Sequence, residues 1–325
     1  MNTTLTLLTW PDYINPKTVE RFESEFGVKV NLEIVPSAVE LIERMKSDAL
    51  ATDVLCPPDY AVRELGAEDR LAALDHAKLS NFEHLEKWFQ FGRPHDAESR
   101  ISIVKDWGTT GFMYRTDMIY EEPASWADFW RLARSAKFSG RVTVLDSPGE
   151  VIGAALKMHG YSYNATSVDE LSQVREDLLA LKPHLLAFET NYKPLLASGE
   201  VCLSLGWNGD AAALIAQGVP IKYVVPSEGS QIWEDDWAIA ADAPNPELAH
   251  TFLNFALRPE IAAQEARYTR YATGNRSALE LLDDEIRNDP STYPLEELLA
   301  KLESGMPIDD EGQWRREELW KDLRE

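Results

Sequence analysis

Short runs of β-type residues alternate with amphipathic, helix-like segments along most of the chain, and this alternation limits the fold more than any other feature. Such runs cover residues 5–9, 28–35, 53–56, 142–146, 201–207 and 221–225. Strands that alternate with helices form largely parallel sheets with helices packed on their faces. The pattern predicts an α/β protein, and a chain of 325 residues is long enough for two domains.

Helix boundary signals support this interpretation. Asn15 and Pro16 are typical of a helix start and Gly27 of a helix end, so residues 17–26 are predicted to be helical. Two β-like segments that each carry a Trp, residues 103–110 and 233–240, are candidates for strands that cross between domains. Further helices are predicted over 151–159, 168–181, 211–217, 246–257, 260–268, 278–283, 295–302 and 311–323.

The charge of the chain excludes several classes of partner. It has 32 Lys and Arg residues against 55 Asp and Glu residues, a net charge of −23. This field repels phosphate backbones and anionic lipid surfaces and attracts cations, so we expect no nucleic-acid partner. No stretch approaches the roughly 18 apolar residues of a membrane helix, so the chain is not expected to be membrane-embedded.

Catalytic and metal-binding signatures are missing from the sequence. The six His residues are scattered, and there is no G-x-S-x-G, no H-E-x-x-H and no glycine-rich phosphate loop. Cys56 and Cys202 lack the paired spacing of a zinc site and are predicted to be buried free thiols. We therefore expect no cofactor, no metal and no enzymatic activity.

The clearest functional signal is a set of turns in which an aromatic residue stands beside an acid. In open α/β sheets, ligands bind where strands end, and these turns follow or flank predicted strands. A desolvated organic ammonium needs a carboxylate for its charge and a flat apolar surface for its methylene chain, and Trp or Tyr supplies that surface. Four such turns stand out: Trp10-Pro11-Asp12-Tyr13, Pro57-Pro58-Asp59-Tyr60, Trp207-Asn208-Gly209-Asp210 and Trp233-Glu234-Asp235-Asp236-Trp237.

Each of these residues also has a purely structural interpretation. Asp12 could bond its own turn, and Asp210 stands where the N-cap of the helix over 211–217 belongs. Glu150 completes a capping box with Ser147, with Pro148 at the first helical position. Core burial is the usual fate of an indole and stays open for Trp107, Trp207 and Trp233.

Nine motifs in order make the chain resemble the polyamine (spermidine/putrescine) binding proteins of bacterial ABC importers. The resemblance covers nearly the whole chain. Its motifs are L-T-W-P-D-Y-I-N-P, D-V-L-C-P-P-D-Y, D-W-G-T-T-G-F, A-S-W-A-D-F-W, S-G-R-V-T-V-L-D, S-L-G-W-N-G-D-A, P-S-E-G-S-Q-I-W-E-D-D-W-A-I, F-L-N-F-A-L-R-P-E-I-A and Y-A-T-G-N.

The resemblance implies a two-lobed periplasmic-binding-protein-like fold of type II, with crossing hinge strands and a ligand cleft between the lobes. Lobe one is expected to hold residues 1–106 and 236–278, and lobe two residues 107–235 and 279–325. Glu150 matches an acid of spermidine-type members, and Asp210 one of putrescine-type members. The ligand-binding residues it implies are Trp10, Asp12, Tyr13, Tyr60, Glu150, Trp207, Asp210, Trp233, Asp235 and Tyr271.

The implied function is capture of a polyamine, putrescine or spermidine, and delivery to an ABC transporter permease. We expect a monomer in the periplasm or another extracytoplasmic compartment, its signal peptide absent from this sequence. Pro11 and Pro58 stand where members of the family usually have Ser or Thr, and Ser147 stands where spermidine-type members can have a second acid. The acids that remain are therefore more typical of a protein that binds a diamine than of one that binds a triamine, although Glu150 keeps spermidine open. Agmatine or an amino acid derivative remains an alternative ligand, whereas ferric ion is disfavoured because the candidate ligands are Trp-flanked acids with no Tyr-Tyr pair or His cluster. A glycoside hydrolase using Glu150 and Asp210 is an alternative of another class.

Overall fold

The computed structural model describes residues 4–36, 38–47 and 51–325. The chain forms two compact units. Unit 1 holds the described residues up to Trp107 together with Trp233–Asn288, and unit 2 holds Gly108–Ile232 and Asp289–Glu325. The predicted lobe boundaries stay a prediction, because compactness alone does not identify the bodies that move.

Nine β-strands are found in the described part of the chain. Strand β4 contains the unit boundary at 107/108, and β9 begins at the boundary at 232/233. The strands are β1 Thr4–Thr9, β2 Lys29–Ile34, β3 Val54–Leu55, β4 Ser102–Arg115, β5 Val142–Val144, β6 Leu185–Phe188, β7 Leu203–Trp207, β8 Ile221–Val224 and β9 Ile232–Ile239.

Fifteen α-helices accompany the strands over the same described ranges. Those of unit 1 are α1 Pro16–Phe26, α2 Ala38–Lys46, α3 Asp59–Ala67, α4 Lys87–Gln90, α10 Pro246–Ala256, α11 Pro259–Thr269, α12 Arg276–Leu279 and α13 Asp284–Arg287. Those of unit 2 are α5 Trp126–Ala133, α6 Pro148–Met158, α7 Val168–Leu181, α8 Lys193–Ser198, α9 Asn208–Ala216, α14 Glu296–Leu299 and α15 Asp310–Arg324.

Unit 1 is built on a sheet with the order β2-β1-β3-β9. Strand β1 is parallel to β2 and β3, whereas β9 is antiparallel to β3. Parallel strands point their carboxyl ends the same way, so the turns after β1 and β3 lie at one edge of the sheet. Two of the four aromatic and acidic turns therefore share that edge.

Unit 2 repeats the arrangement with β6-β5-β7-β4, and β8 also pairs with β4. Strand β5 is parallel to β6 and β7, while β4 and β7 are antiparallel. Helix α6 follows β5 and helix α9 follows β7, so the first turns of both helices lie at the carboxyl edge of the parallel strands. Glu150 and Asp210 are the third residues of these two helices.

Local sequence signals explain several of these boundaries. Asn15 caps α1 by accepting a hydrogen bond from the backbone N–H of Lys17, and Gly27 ends the helix in the left-handed conformation at φ 66°. Ser167 caps α7 in the same way. Cys56 and Cys202 are buried free thiols, as predicted. No helix in the described residues is long and apolar enough to cross a membrane.

Candidate functional site

Strand β9 carries acids on both of its faces. Side chains alternate along a strand, so Trp233 and Asp235 lie on one face and Glu234 and Asp236 on the other. The contacts agree with this alternation, since Asp235 meets Tyr13 while Asp236 is buried on the opposite face. The two faces therefore build two different acidic sites within unit 1.

The hydroxyl of Tyr13 lies between two carboxylates. Its Oη is 2.6 Å from Oδ1 of Asp106 and 2.6 Å from Oδ2 of Asp235. A phenol has one proton to donate, so only one carboxylate can receive it at a time. The second contact becomes a hydrogen bond when the other acid is itself protonated and donates to the phenol oxygen. The contact between Tyr13 and Asp235 is therefore compatible with a protonated Asp235.

The raised pKa values of Asp235 and Tyr13 agree with this hydrogen-bond geometry. Burial raises the pKa of Asp235, and the neighbouring charge of Asp106 adds to the effect, bringing the pKa to about 8. Burial also raises the pKa of Tyr13, so its phenol stays protonated. A cation arriving at Asp235 would favour the ionised carboxylate and release the proton.

Aromatic rings form a row beside these acids. The ring centroid of Tyr271 is 5.9 Å from that of Tyr13 and 5.0 Å from that of Trp233, in tilted and edge-on arrangements. The Lys105 ammonium lies 3.8 Å from the centroid of the Tyr13 ring and forms an ion pair with Asp106. Unit 1 thus already holds one buried ammonium against an aromatic face and a carboxylate, the same contacts that an organic amine would make.

The opposite face of β9 holds a buried ionic cluster. His95, Glu234 and Asp236 have potential ligand atoms within 4.8 Å of one another. Arg93, fully buried, places Nη1 2.7 Å from Oδ2 of Asp236 and 3.6 Å from Oε2 of Glu234. Burial alone would raise the pKa of Asp236, but the charges of Arg93 and His95 lower it to about 2. The guanidinium supplies the positive charge that balances these acids, so we interpret the cluster as an ion-pair network.

Three predicted site residues lie outside the Tyr13–Asp235 contacts. Trp10 is partly buried and packs against a core cluster of unit 1. Asp12 is exposed, in the left-handed conformation at φ 55°. Tyr60, in the first turn of α3, is 45% exposed. Their roles in ligand binding stay predictions.

In unit 2, Glu150 accepts hydrogen bonds from the side chains of three neutral residues. Trp207 Nε1 donates to Oε1 at 3.1 Å and Tyr163 Oη donates to Oε2 at 3.2 Å. The amide of Gln231, oriented with its nitrogen toward the acid, donates to Oε2 at 2.8 Å. Ser147 precedes the helix without a capping hydrogen bond from its side chain, so the interpretation of Ser147 and Glu150 as a capping box is not supported.

Asp210 lies on the other side of Trp207 in sequence and packs differently. Its Oδ1 is 2.7 Å from the ammonium of Lys193, and its Oδ2 accepts a hydrogen bond from Tyr192 Oη at 2.8 Å. Asp210 is not an N-cap, because α9 begins at Asn208 and Trp207 occupies the capping position. The N-cap interpretation is therefore wrong, and the carboxylate is held by side chains instead.

Several residues of these sites have no recognisable signal in the sequence. Asp106 and Lys105 lie in a strand, with no special spacing to Tyr13. Tyr163, Gln231 and Lys193 reach the acids only through tertiary contacts. Of these five residues, only Asp106 belongs to a pair of neighbouring acid and aromatic residues, because it directly precedes Trp107.

Together, the two α/β units and their edge sites of acids and aromatic rings define a binding protein of the bacterial solute-receptor type. A family model described as "Bacterial extracellular solute-binding protein" matches residues 17–294. The chain belongs to this family of extracellular solute-binding proteins, as the resemblance in the sequence implied.

Curated relatives and solved structures agree with that placement. The chain is 33% identical over 306 residues to the spermidine/putrescine-binding periplasmic protein of Salmonella typhimurium, covering 93% of this chain and 86% of the relative. It is 32% identical over 317 residues to the putrescine-binding periplasmic protein PotF of Escherichia coli, covering 92% and 85%.

Among solved structures, the spermidine/putrescine ABC transporter substrate-binding protein PotD from Streptococcus pneumoniae matches with a TM-score of 0.90 and 28% identity over 99% of both chains. A putative spermidine/putrescine ABC transporter protein from Listeria monocytogenes matches with a TM-score of 0.89 and 31% identity, also over 99% of both chains. The predicted fold class is confirmed by these matches.

Proposed function

We propose that this chain is a non-enzymatic, extracytoplasmic receptor that binds a polyamine, putrescine or spermidine, and delivers it to an ABC permease. One observation carries the proposal: each unit joins a carboxylate to an aromatic partner, Asp235 with Tyr13 in unit 1 and Glu150 with Trp207 in unit 2. Each pair is a suitable partner for an organic ammonium of the kind that a polyamine carries. The receptor works as a monomer in this proposal.

The chemistry of each pair suits an organic ammonium. A hydrogen bond between an ammonium and a carboxylate contributes about 1.5 to 3 kcal/mol, and an aromatic face adds roughly 0.5 to 2 kcal/mol. Two ammonium groups that are each bound by a carboxylate and an aromatic face are sufficient for micromolar binding, which corresponds to a binding free energy of about 8 kcal/mol. The net charge of −23 also favours rapid capture of a dication, an effect that weakens as salt rises.

The relatives support this ligand class. The curated relatives named above are described as binding spermidine or putrescine and as periplasmic, and the matched structures are described as parts of ABC transporters. Agmatine and amino acid derivatives remain alternatives, because either can carry a cationic end to Asp235 or Glu150.

Isothermal titration calorimetry with putrescine, spermidine, agmatine and a neutral sugar tests the proposal. We expect binding of putrescine or spermidine and no heat with the sugar. Asp235→Asn removes one ammonium partner and should weaken polyamine binding at least about tenfold. Asp242→Asn, an exposed acid of the same unit, is the matched control and should bind as wild type. A wild-type protein that binds no polyamine would contradict the proposal, and wild-type affinity in Asp235→Asn would contradict the role of that acid.

The glycoside hydrolase alternative is disfavoured by the ion pair on Asp210. A general acid or base must exchange protons with substrate, and Asp210 is engaged at both oxygens by Lys193 and Tyr192. Incubation with oligosaccharides, followed by chromatography of the products, separates the two functions. A receptor leaves them unchanged.

A further inference from the structure

Glu303, in the segment between α14 and α15, contacts two of the residues that hold Glu150. These two residues are Tyr163 and Gln231, whose side chains donate hydrogen bonds to the Glu150 carboxylate. The side chain of Glu303 bonds to the backbone of Tyr163, and its backbone bonds to the chain on both sides of Gln231. A residue of the C-terminal segment is thus linked to a predicted ligand-binding acid through two separate supports.

The carboxylate of Glu303 holds the turn that contains Tyr163. Its Oε1 accepts the backbone N–H of Tyr163 at 3.2 Å and lies 2.8 Å from the ammonium of Lys157. Its Oε2 accepts a hydrogen bond from the hydroxyl of Ser162. Burial acts to raise the pKa of Glu303, but the bonds from Lys157, Ser162 and Tyr163 outweigh it and lower the pKa. The ionised carboxylate therefore ties this turn to helix α6.

Tyr163 extends along one face of α6, between Glu150 and the partner of Glu303. Glu150 and Lys157 are about two turns apart on that face, and the buried Tyr163 ring packs over Gly153 between them. The phenol hydroxyl reaches Glu150, whereas the backbone N–H reaches Glu303 beside Lys157. A shift of the Tyr163 backbone would therefore move the hydroxyl relative to the Glu150 carboxylate.

The backbone of Glu303 holds the segment that contains Gln231. Its N–H donates to the carbonyl of Ser230 at 2.9 Å, and its carbonyl accepts the N–H of Ile232 at 3.0 Å. Glu303 and Gln231 form a parallel bridge through these two bonds. The backbone is thus fixed on either side of Gln231, whose amide donates to Glu150 at 2.8 Å.

We propose that Glu303 is a positioning residue for ligand binding, which orients Glu150 toward an ammonium by holding Tyr163 through its side chain and Gln231 through its backbone. This inference rests on the proposed function and gives a role to a residue outside the ten predicted ligand-binding positions. Removal of the Glu303 side chain leaves the charge of Glu150 in place but orients it less well, so affinity falls. A role in stability alone would lower the melting temperature and leave the affinity of the folded protein unchanged.

Calorimetry with putrescine and spermidine on wild type, Glu303→Met, Glu150→Gln and the double variant of these two substitutions tests the proposal. Methionine keeps the approximate length of the glutamate side chain. We expect Glu303→Met to weaken binding of the preferred polyamine by about three- to tenfold. In the Glu150→Gln background, the same substitution should change the affinity by less than about twofold, because the acid that it orients is already neutral. Equal losses in both backgrounds, or wild-type affinity in Glu303→Met, would overturn the inference.

A second variant, Lys157→Met combined with Glu303→Met, separates positioning from stability. The side chains of this ion pair are 10% and 29% exposed, and replacing both partners by apolar groups costs much less stability than removing one. Tyr163 still loses the carboxylate that accepts its N–H, so we expect a melting temperature near that of wild type and the affinity of Glu303→Met. Recovery of wild-type affinity would overturn the proposal. Glu303→Gln keeps an oxygen for Ser162 and Tyr163 and should bind within about twofold of wild type.

Asp177 provides a matched control in the same unit. Its Oδ2 lies 2.7 Å from Nε2 of His159, directly after α6, and its side chain is 28% exposed. Asp177→Leu should therefore leave both polyamine affinities unchanged, and a loss equal to that of Glu303→Met would overturn the inference. Absence of polyamine binding in the wild type would overturn the proposed function as well, whereas wild-type binding without coupling between Glu303 and Glu150 would overturn this inference alone.

Discussion

The indole Nε1 of Trp207 lies 3.1 Å from Oε1 of Glu150 and ties the end of β7 to the first turn of α6. An aromatic residue predicted to stack on the ligand therefore also orients the acid predicted to bind it. Glu150→Gln keeps the shape of the side chain but removes its charge, so we expect polyamine affinity to fall by about tenfold or more. Calorimetry measures the loss, and Glu176→Gln on the exposed surface of α7 is the control. Equal losses in both variants would contradict a specific role for Glu150.

The raised pKa of Asp235 predicts that polyamine binding depends on pH. The pKa of Asp235 is raised to about 8, and a ligand ammonium favours the ionised form, so binding releases a proton. Affinity should rise as the pH increases from about 6 to about 8, by up to roughly tenfold per unit, and level off above the pKa. Titrations in buffers with different ionisation enthalpies count the protons released. A flat affinity over this range, with no proton release, would contradict a protonated Asp235 in the ligand-free protein.

Gly153 explains how Tyr163 reaches Glu150. A Cβ at Gly153 would lie 2.0 Å from the Tyr163 ring, so the ring packs where that side chain would be. Gly153→Ala should displace the ring and lower the free energy of unfolding by about 1 to 3 kcal/mol. Gly149→Ala, in the same helix with open space around its Cβ, should be neutral or slightly stabilising. Chemical denaturation compares the two, and an equally stable Gly153→Ala would show that the ring is free to move aside.

The buried guanidinium of Arg93 is predicted to be essential to the stability of unit 1. It lies beside Asp236 and Glu234 on the face of β9 opposite Asp235 and balances their charge. Arg93→Met leaves these acids without the guanidinium and should cost about 3 to 5 kcal/mol of unfolding free energy. Arg100→Met, on an exposed side chain nearby in sequence, should cost little. Thermal melting is sufficient to rank the two, and similar melting temperatures would contradict this assignment.

Local signals predicted much of the fold. Asn15, Pro16 and Gly27 marked both ends of α1, because capping is decided within a few residues. The start of α9 was placed too late, at Ala211 instead of Asn208. Asn208 accepts a hydrogen bond from the backbone N–H of Thr109, 99 residues away, and such tertiary contacts lie outside a local pattern.

The candidate site was only partly accessible from sequence. Tyr13 meets Asp106 and Asp235 across 93 and 222 residues, distances at which spacing carries no information. Lys105 and Lys193 could not be predicted, because a buried or acid-bound lysine has no sequence pattern of its own. Resemblance to a family supplied the positions of the ten predicted residues, but not their charge balance.

The alternation of β9 has a consequence for how this chain can evolve. Inserting or deleting one residue ahead of Trp233 would exchange the faces of the strand, turning Glu234 and Asp236 toward Tyr13 and Asp235 toward Arg93. Both acidic sites would be lost in a single event. Homologous chains that diverge in ligand should therefore vary the identity of side chains in this strand while keeping its length.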